Sequence, residues 1–559
     1  MIQENYIKLY EKAFRDLWTL PAISNYSSPQ VYSYADVARC IARVHLQLEG
    51  LGIGQSDKVA LIAKDSAEWC MVYMGVMTYG ATVVPILPDF HTEDIHNIIV
   101  HSEAKAVYSA DSHLEALQAE KMPEVRAIID IPTLKPSFVS SQYKDSHALQ
   151  SIEEAFKEKY PSGFGVDDVR YREIPNDRVL VLNYTSGTTG FSKGVMLTGN
   201  NLAGNVLFAL QEKMMRKNEK ILCFLPLAHA YSCAFNFLTP LVVGMQIIIF
   251  NTLPTPSVLS KAFAEVRPEL IMSVPLIFEK IYKQKIHPKL EKPLIKLLLK
   301  VPFVNRAIYD KIRDQLYEGM GGNFRQVIIG GAAMNDEICE FMHRIRFPFT
   351  VGYGMTECGP LISYVDWSRY VPGSCGKAIE GFMEARIDYD VERADREIGE
   401  IQVRGENVCL GYYKNPEATE KLFTKDGWMH TGDLGYIDDA GNIFIKGRNK
   451  TMLLGPSGQN IYPEEIETRI NMLPYISDSL VIQNNKARLI ALVYPDHAAL
   501  KAAGLTSEEQ IAQVMEDNRK QLNTLVSAYE KVVAFRVMSD DFERTPKKSI
   551  KRYLYQDVQ

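Results

Sequence analysis

Residues 184–198 read Tyr-Thr-Ser-Gly-Thr-Thr-Gly-Phe-Ser-Lys-Gly-Val-Met-Leu-Thr, directly after the apolar run Val179-Leu180-Val181-Leu182. These residue types suit a phosphate. Gly187 and Gly190 let the backbone approach an anion. The hydroxyls of Thr185, Ser186, Thr188 and Thr189 donate to its oxygens, and Lys193 brings positive charge. The spacing is not that of the P-loop, which needs glycine, four residues and then Gly-Lys-Ser/Thr. Gly187 and Gly190 precede Lys193 by six and three residues, and Gly194 follows it. The kinase and GTPase reading therefore fails. On composition alone a polar surface turn fits equally well.

A loop of this kind needs a rigid support, and the flanking sequence supplies one. Short apolar runs at 58–63, 82–87, 104–108, 127–131, 179–183, 220–225, 246–250, 270–274 and 326–329 read as strands. Helical patterns lie between most of them. Val37, Ile41, Val44 and Leu48 fall at helical spacing, with Gly50 and Gly52 closing that helix. Such alternation predicts an α/β fold with a mainly parallel sheet covered by helices on both faces. Ligands in these sheets bind beyond the carboxyl ends of strands, where the 184–194 loop emerges. From about 385 the texture changes to short strands and turns, including Glu400–Arg404 and pieces at 437–438 and 443–445 around the turn 439–442. The boundary is set at 449/450. This gives a large domain 1–449, with a β-rich part at about 385–449, and a small α+β domain 450–559.

The bulk numbers exclude several classes. At 559 residues the chain holds several domains. Its net charge of −6, without a long basic run, argues against nucleic-acid binding. None of the eight cysteines forms a C-x-x-C pair, so no zinc or redox motif is present, and free thiols in a reducing cytoplasm are expected. No signal peptide opens the sequence. The uncharged stretch 234–250 is interrupted by Asn236, Pro240, Gly244 and Gln246, which favours a buried helix and strand over a membrane span. Residues 285–304 alternate leucines with Lys289, Lys292, Lys296 and Lys300. The ordinary expectation is a helix packed on its own domain, and the functional one is a peripheral membrane contact, at the inner face of a membrane for a cytoplasmic enzyme.

The 184–198 stretch resembles the phosphate-binding signature of the AMP-forming adenylating enzymes: acyl-CoA synthetases, luciferases and peptide-synthetase adenylation domains. Ser192 stands where that family usually has proline. Five further segments match in order. Leu225-Pro226-Leu227-Ala228-His229-Ala230-Tyr231 resembles the start of the acyl-pocket wall, which implies that His229 lies by the substrate carboxylate. Gly331, Ala332 and Ala333 resemble the turn on which adenine lies, followed by a helix from Asn335 with Asp336 and Glu337 in its first turn. In Gly352-Tyr353-Gly354-Met355-Thr356-Glu357 the resemblance implies that Tyr353 stacks on adenine, Thr356 meets the α-phosphate, and Glu357 holds Mg²⁺ with Thr185 as partner. One carboxylate suffices for this hard cation, because the nucleotide brings its own oxygens. Asp433 takes the position that binds both ribose hydroxyls, Arg448 that of ribose and phosphate, Lys450 that of a hinge, and Gly458 that of the CoA-side loop.

The last segment departs. The family signature ends Gly-Lys-Ile-x-Arg, with the lysine serving adenylation. Aligned on Thr545-Pro546 and Ile550-Lys551-Arg552, that lysine's place falls on Ser549, and Lys548 sits one residue earlier. Lys548 or Lys547 takes the role, or the role is dispensable. The resemblance implies an ATP- and Mg²⁺-dependent enzyme with a mobile C-terminal domain, within a family where homodimers occur. It activates a medium- to long-chain fatty acid to acyl-AMP and passes it to CoA. The alternatives are an acyl-AMP or acyl-carrier-protein ligase, or a protein that only binds adenylate.

Overall fold

The computed structural model describes residues 2–185, 193–252, 255–389, 398–454, 460–484, 488–546 and 549–556. Two seven-stranded sheets dominate. In the first, the spatial order is Phe349–Val351, Gln326–Ile329, Leu270–Ser273, Lys220–Cys223, Gln246–Ile249, Pro21–Asn25 and Val31–Ser33. Every neighbouring pair is parallel except the last. The second runs Pro136–Val139, Ala127–Asp130, Ala104–Ser109, Lys58–Ile62, Thr82–Ile86, Val179–Thr185 and Lys193–Thr198, parallel inside and antiparallel at both edges. Lys-Val-Ala-Leu-Ile at 58–62 is buried on both faces beyond its first residue, as a parallel strand with two covered faces must be.

Helices Tyr34–Gly50 and Ala67–Tyr79 belong to the main core. The second is buried at every position except Glu68, which is why it shows no amphipathic face. A Cβ on Gly75 would lie 2.6 Å from Val44 Cβ, so only glycine lets the two helices approach this closely. The uncharged segment after His229 forms a helix with a π-helical stretch, Cys233–Leu238, closed by left-handed Gly244 (φ 94°) and followed by the buried strand Gln246–Ile249. Among the described residues no helix is long and apolar enough to cross a membrane.

A four-stranded antiparallel sheet follows, built from Met383–Asp388, Gly399–Gly405, Met429–Ile437 and Ile443–Arg448. The last unit packs helices Pro463–Met472 and Glu508–Leu525 on strands Ile476–Gln483, Leu489–Pro495 and Val532–Val537.

Two readings change. Lys193–Thr198 is a strand, with Lys193 opposite Thr185, so only 186–192 joins the two strands. Ser186, Gly187, Thr188, Thr189 and Gly190 fall there, outside the described residues. The stretch 285–304 is not one packed helix. Pro293 starts a new helix, so the stretch holds His287–Leu290 and Pro293–Leu298, and neither helix buries a residue fully.

Glu467 ties the C-terminal unit together. Its Oε1 accepts from the Val481 N–H at 2.7 Å, and its Oε2 accepts from Arg552. Burial pushes this carboxyl up to about 7, against the pull of Arg552. The folded state therefore binds the proton more tightly than the unfolded chain does. The stabilisation this gives is present below the unfolded carboxyl pKa and is lost as pH rises through about 7. Glu467→Gln is expected to flatten the fall in thermal midpoint between pH 5 and pH 8. Unchanged pH dependence in calorimetry would remove Glu467 from this role.

Candidate active site

Asp433 and Arg448 face each other across two strands of the small sheet, in register. Arg448 Nε lies 3.0 Å from Asp433 Oδ1, and the Tyr353 hydroxyl donates to Oδ2 at 2.6 Å. Tyr353 comes from a different sheet, so the carboxylate joins two layers. Burial and the Asp433 charge push the Tyr353 phenol far above its usual range, so its hydroxyl is the donor in this pair. Burial also raises the Asp433 carboxyl, opposed by Arg448 and Tyr353. A carboxylate offers about four acceptor positions. Two are used here, which leaves capacity for a pair of neighbouring hydroxyls. The preceding turn is fixed by Glu400, which accepts from the Gly432 N–H at 2.9 Å and pairs with His430 Nδ1 at 2.8 Å.

The glycine turn after strand Gln326–Ile329 lies at the same place. Gly331 has φ 88°, a conformation that favours glycine. A Cβ on Gly330 would sit 3.3 Å from the Tyr231 ring, and Tyr231 is held by its hydroxyl donating to Ile328 O at 2.9 Å. Helix Asp336–Arg344 leaves the turn with Asn335 as its cap, accepting from the Ile338 N–H. Gly331, Ala332, Ala333, Tyr353, Gly354, Asp433 and Arg448 line one cleft of about 1810 Å³.

A second cluster gathers around Glu357. The buried Glu357 carboxylate accepts from the Tyr412 hydroxyl at 2.8 Å, and Lys193 Nζ stands 4.7 Å from the centre of the Tyr412 ring. Backbone bonds place them. Val195 pairs with Tyr412, Tyr413 donates to Gly194 O at 2.8 Å, and Cys409 donates to Glu357 O at 2.8 Å. Thr185 Oγ1 donates to Lys193 O at 3.4 Å. Met355 and Thr356 open the short helix that carries Glu357. A Cβ on Gly354 would come within 2.3 Å of Pro360 O, so the strand end accepts no side chain. His229 starts the helix beyond Pro226-Leu227 and is half-buried. Nothing in the local spacing marks Tyr412. Only its pairing with the strand after the phosphate loop brings it to Glu357.

Among the described residues no group of three or more His, Cys, Asp or Glu side chains is placed to hold a metal ion. A site with one buried carboxylate, its Oε1 held by Tyr412, fits a hard cation that arrives with phosphate oxygens rather than a cation caged by protein.

A family model described as AMP-binding enzyme matches residues 14–413, and one described as AMP-binding enzyme C-terminal domain matches residues 451–557. The chain belongs to the AMP-binding enzyme family. It is 29% identical to the long-chain-fatty-acid–CoA ligase FadD15 of Mycobacterium bovis, covering 93% of this chain and 89% of that one. It is 28% identical to the 4-coumarate–CoA ligase of Vanilla planifolia, covering 83% and 78%. The ATP-bound structure of MatB from Rhodopseudomonas palustris superposes with a TM-score of 0.74 at 23% identity, over 99% of both chains.

Seen as an AMP-binding enzyme, the chain has its C-terminal unit closing the other side of the cleft. Glu467, Ser549, Ile550 and Arg552 line it opposite Tyr353 and Asp433. Thr545 N–H donates to Ser549 O at 2.8 Å. Lys547 and Lys548 lie outside the described residues, as does Gly458. Lys450 occupies the turn after Arg448, where Thr451 and Met452 both donate to Arg448 O. Asn449 N–H donates to Gly432 O at 2.9 Å, tying this turn to the residue before Asp433.

Proposed function

We propose that this AMP-binding enzyme is an acid–CoA ligase whose acid is a medium- to long-chain fatty acid. The observation carrying this reading is the alignment with FadD15 along 93% of the chain, end to end with both family segments. The Ser-Gly-Gln-Asn-Ile stretch at 457–461, similar to the long-chain branch, points the same way. In the first step a carboxylate oxygen attacks the α-phosphorus of ATP and pyrophosphate leaves, giving acyl-AMP. Asp433 holds the nucleoside by its hydroxyls, Tyr353 and Arg448 fix Asp433, and Lys193 offsets negative charge on the phosphates. Mg²⁺, when bound, would sit at Glu357 and neutralise phosphate charge. Thr356 and His229 are proposed to meet the phosphate and the acid. In the second step the CoA thiol attacks the acyl carbon and AMP leaves.

The Vanilla planifolia relative, at 28% identity, makes an aromatic acid the competing substrate. ATP–pyrophosphate exchange with butyrate through stearate and with 4-coumarate separates the two. Exchange is expected to peak between laurate and stearate, at least tenfold above 4-coumarate, and acyl-CoA is expected once CoA is added. A preference for 4-coumarate overturns the fatty-acid assignment. Exchange without acyl-CoA would make the chain an acyl-AMP or carrier-protein ligase. No exchange with any acid would leave a protein that only binds adenylate.

A further inference from the structure

An apolar exposed surface lies in the stretch 285–304, on residues 294–303. Phe303 is 88% exposed, Leu294 66%, Leu297 62% and Val301 44%. Single exposed leucines are ordinary, but four large apolar side chains within ten residues are not. Phe303 also has φ 69°, a left-handed backbone that costs a bulky residue energy, and this conformation sets it at the start of helix Val304–Gly319. Strain that places an aromatic ring in water calls for a partner that takes it out of water.

The charge around the patch identifies the partner. Residues 285–304 carry five lysines, at 285, 289, 292, 296 and 300, against one acid, Glu291. All five are exposed, and among the described residues only Lys296 is ion-paired, to Glu291 at 2.6 Å. The whole chain carries a net charge of −6, so an anionic surface repels most of it and attracts this part. Exposed apolar side chains beside unpaired lysines match the boundary of a bilayer, where the chains enter the acyl region and the ammonium groups meet anionic headgroups. A short helix broken by prolines can wedge in without spanning.

We propose that the surface of residues 289–303 docks this protein on anionic lipid bilayers, with Leu294, Leu297 and Phe303 inserted and Lys289, Lys292 and Lys300 against the headgroups. The proposal stands on surface residues and is independent of which acid is activated. The test is co-sedimentation of the full chain with phosphatidylcholine vesicles, with and without phosphatidylglycerol. The variants are Leu297→Ser/Phe303→Ser and Lys292→Glu/Lys300→Glu, each checked for an unchanged thermal transition. Wild type is expected to sediment with the anionic vesicles at least tenfold more than with neutral ones, and to be released by high salt. Both variants are expected to lose binding at least tenfold. If the serine pair unfolds, the glutamate pair alone decides, because it alters only exposed lysines. Equal binding by wild type and a folded variant, or none to anionic vesicles, overturns the proposal. A lipid-free dimer that Leu297→Ser/Phe303→Ser returns to monomer would reassign the surface to self-association.

Discussion

Asp433→Asn is expected to lower pyrophosphate exchange, read as kcat/KM for ATP, by a factor on the order of 10²–10³. The substitution keeps the shape and removes both the charge and one acceptor. In the native site Oδ1 faces Arg448 Nε at 3.0 Å and Oδ2 faces the Tyr353 hydroxyl at 2.6 Å, and both partners are donors. An amide has one acceptor and one donor end, so one of these donors must face an N–H. Truncating one partner of a buried, hydrogen-bonded charge pair costs about 2–5 kcal/mol. Arg448 is 64% exposed on its side chain and recovers part of this from water, whereas the buried Tyr353 recovers none. Tyr353→Phe removes a single hydroxyl and leaves the Arg448 pair, so its effect is expected to be about tenfold or less. KM for the acid should not move in either variant. Exchange by Asp433→Asn within threefold of wild type would place the nucleoside elsewhere.

The parts legible in the sequence are those set by local chemistry. Apolar runs such as Lys58–Ile62 and Gln326–Ile329 are strands, because a parallel sheet buried on both faces demands continuous apolarity. Asn335 reads as a cap because its side chain has one local N–H to satisfy. What stayed hidden is set by distant partners. Lys-Gly-Val-Met-Leu-Thr at 193–198 opens with lysine and glycine and passes for the end of a loop, yet it is a strand paired on one side with Val179–Thr185 and bonded on the other to Leu410, Gly411 and Tyr413. That second pairing carries Tyr412 to Glu357, and no spacing rule reaches across so much chain. The 285–304 stretch misled for a related reason. Its leucine spacing suits a packed helix, but the break at Pro293 leaves two short helices with no fully buried residue.

Lys283 is a contact of that hidden kind, and its removal is the other large effect expected. It belongs to the large N-terminal part, yet its ammonium donates to Asn471 O at 2.7 Å and to Ile476 O, both in the C-terminal unit. Burial pulls the Lys283 amine down to about 8, opposed by Asp496, Asp478 and Glu279. Burial and the Asp478 charge push the Glu279 carboxyl up to about 7, against the pull of Lys283. The amine therefore holds two backbone carbonyls and keeps like charges together where the two parts meet. Lys283→Ala is expected to slow the pyrophosphate-exchange half-reaction by a factor on the order of thirty, from about 2 kcal/mol of lost charged hydrogen bonding. CoA transfer from supplied acyl-AMP should be spared on the proposed reading, in which the C-terminal unit turns away from this position between the two half-reactions. A general loss of folding would slow both half-reactions alike. The defect should also grow as pH rises from 6 toward 8, above which the Lys283 amine of wild type itself loses its proton. Without the ammonium, Glu279 is pushed higher still. At pH 6 it is protonated and the contact tolerates it; as pH rises it ionises beside the Asp478 charge and drives the units apart. Adding Glu279→Gln removes one of the two charges and should flatten that pH profile while leaving the thirtyfold loss at pH 6. A flat profile in Lys283→Ala itself would show that these carboxylates do not act across this contact. Equal slowing of both half-reactions would reduce Lys283 to a packing residue.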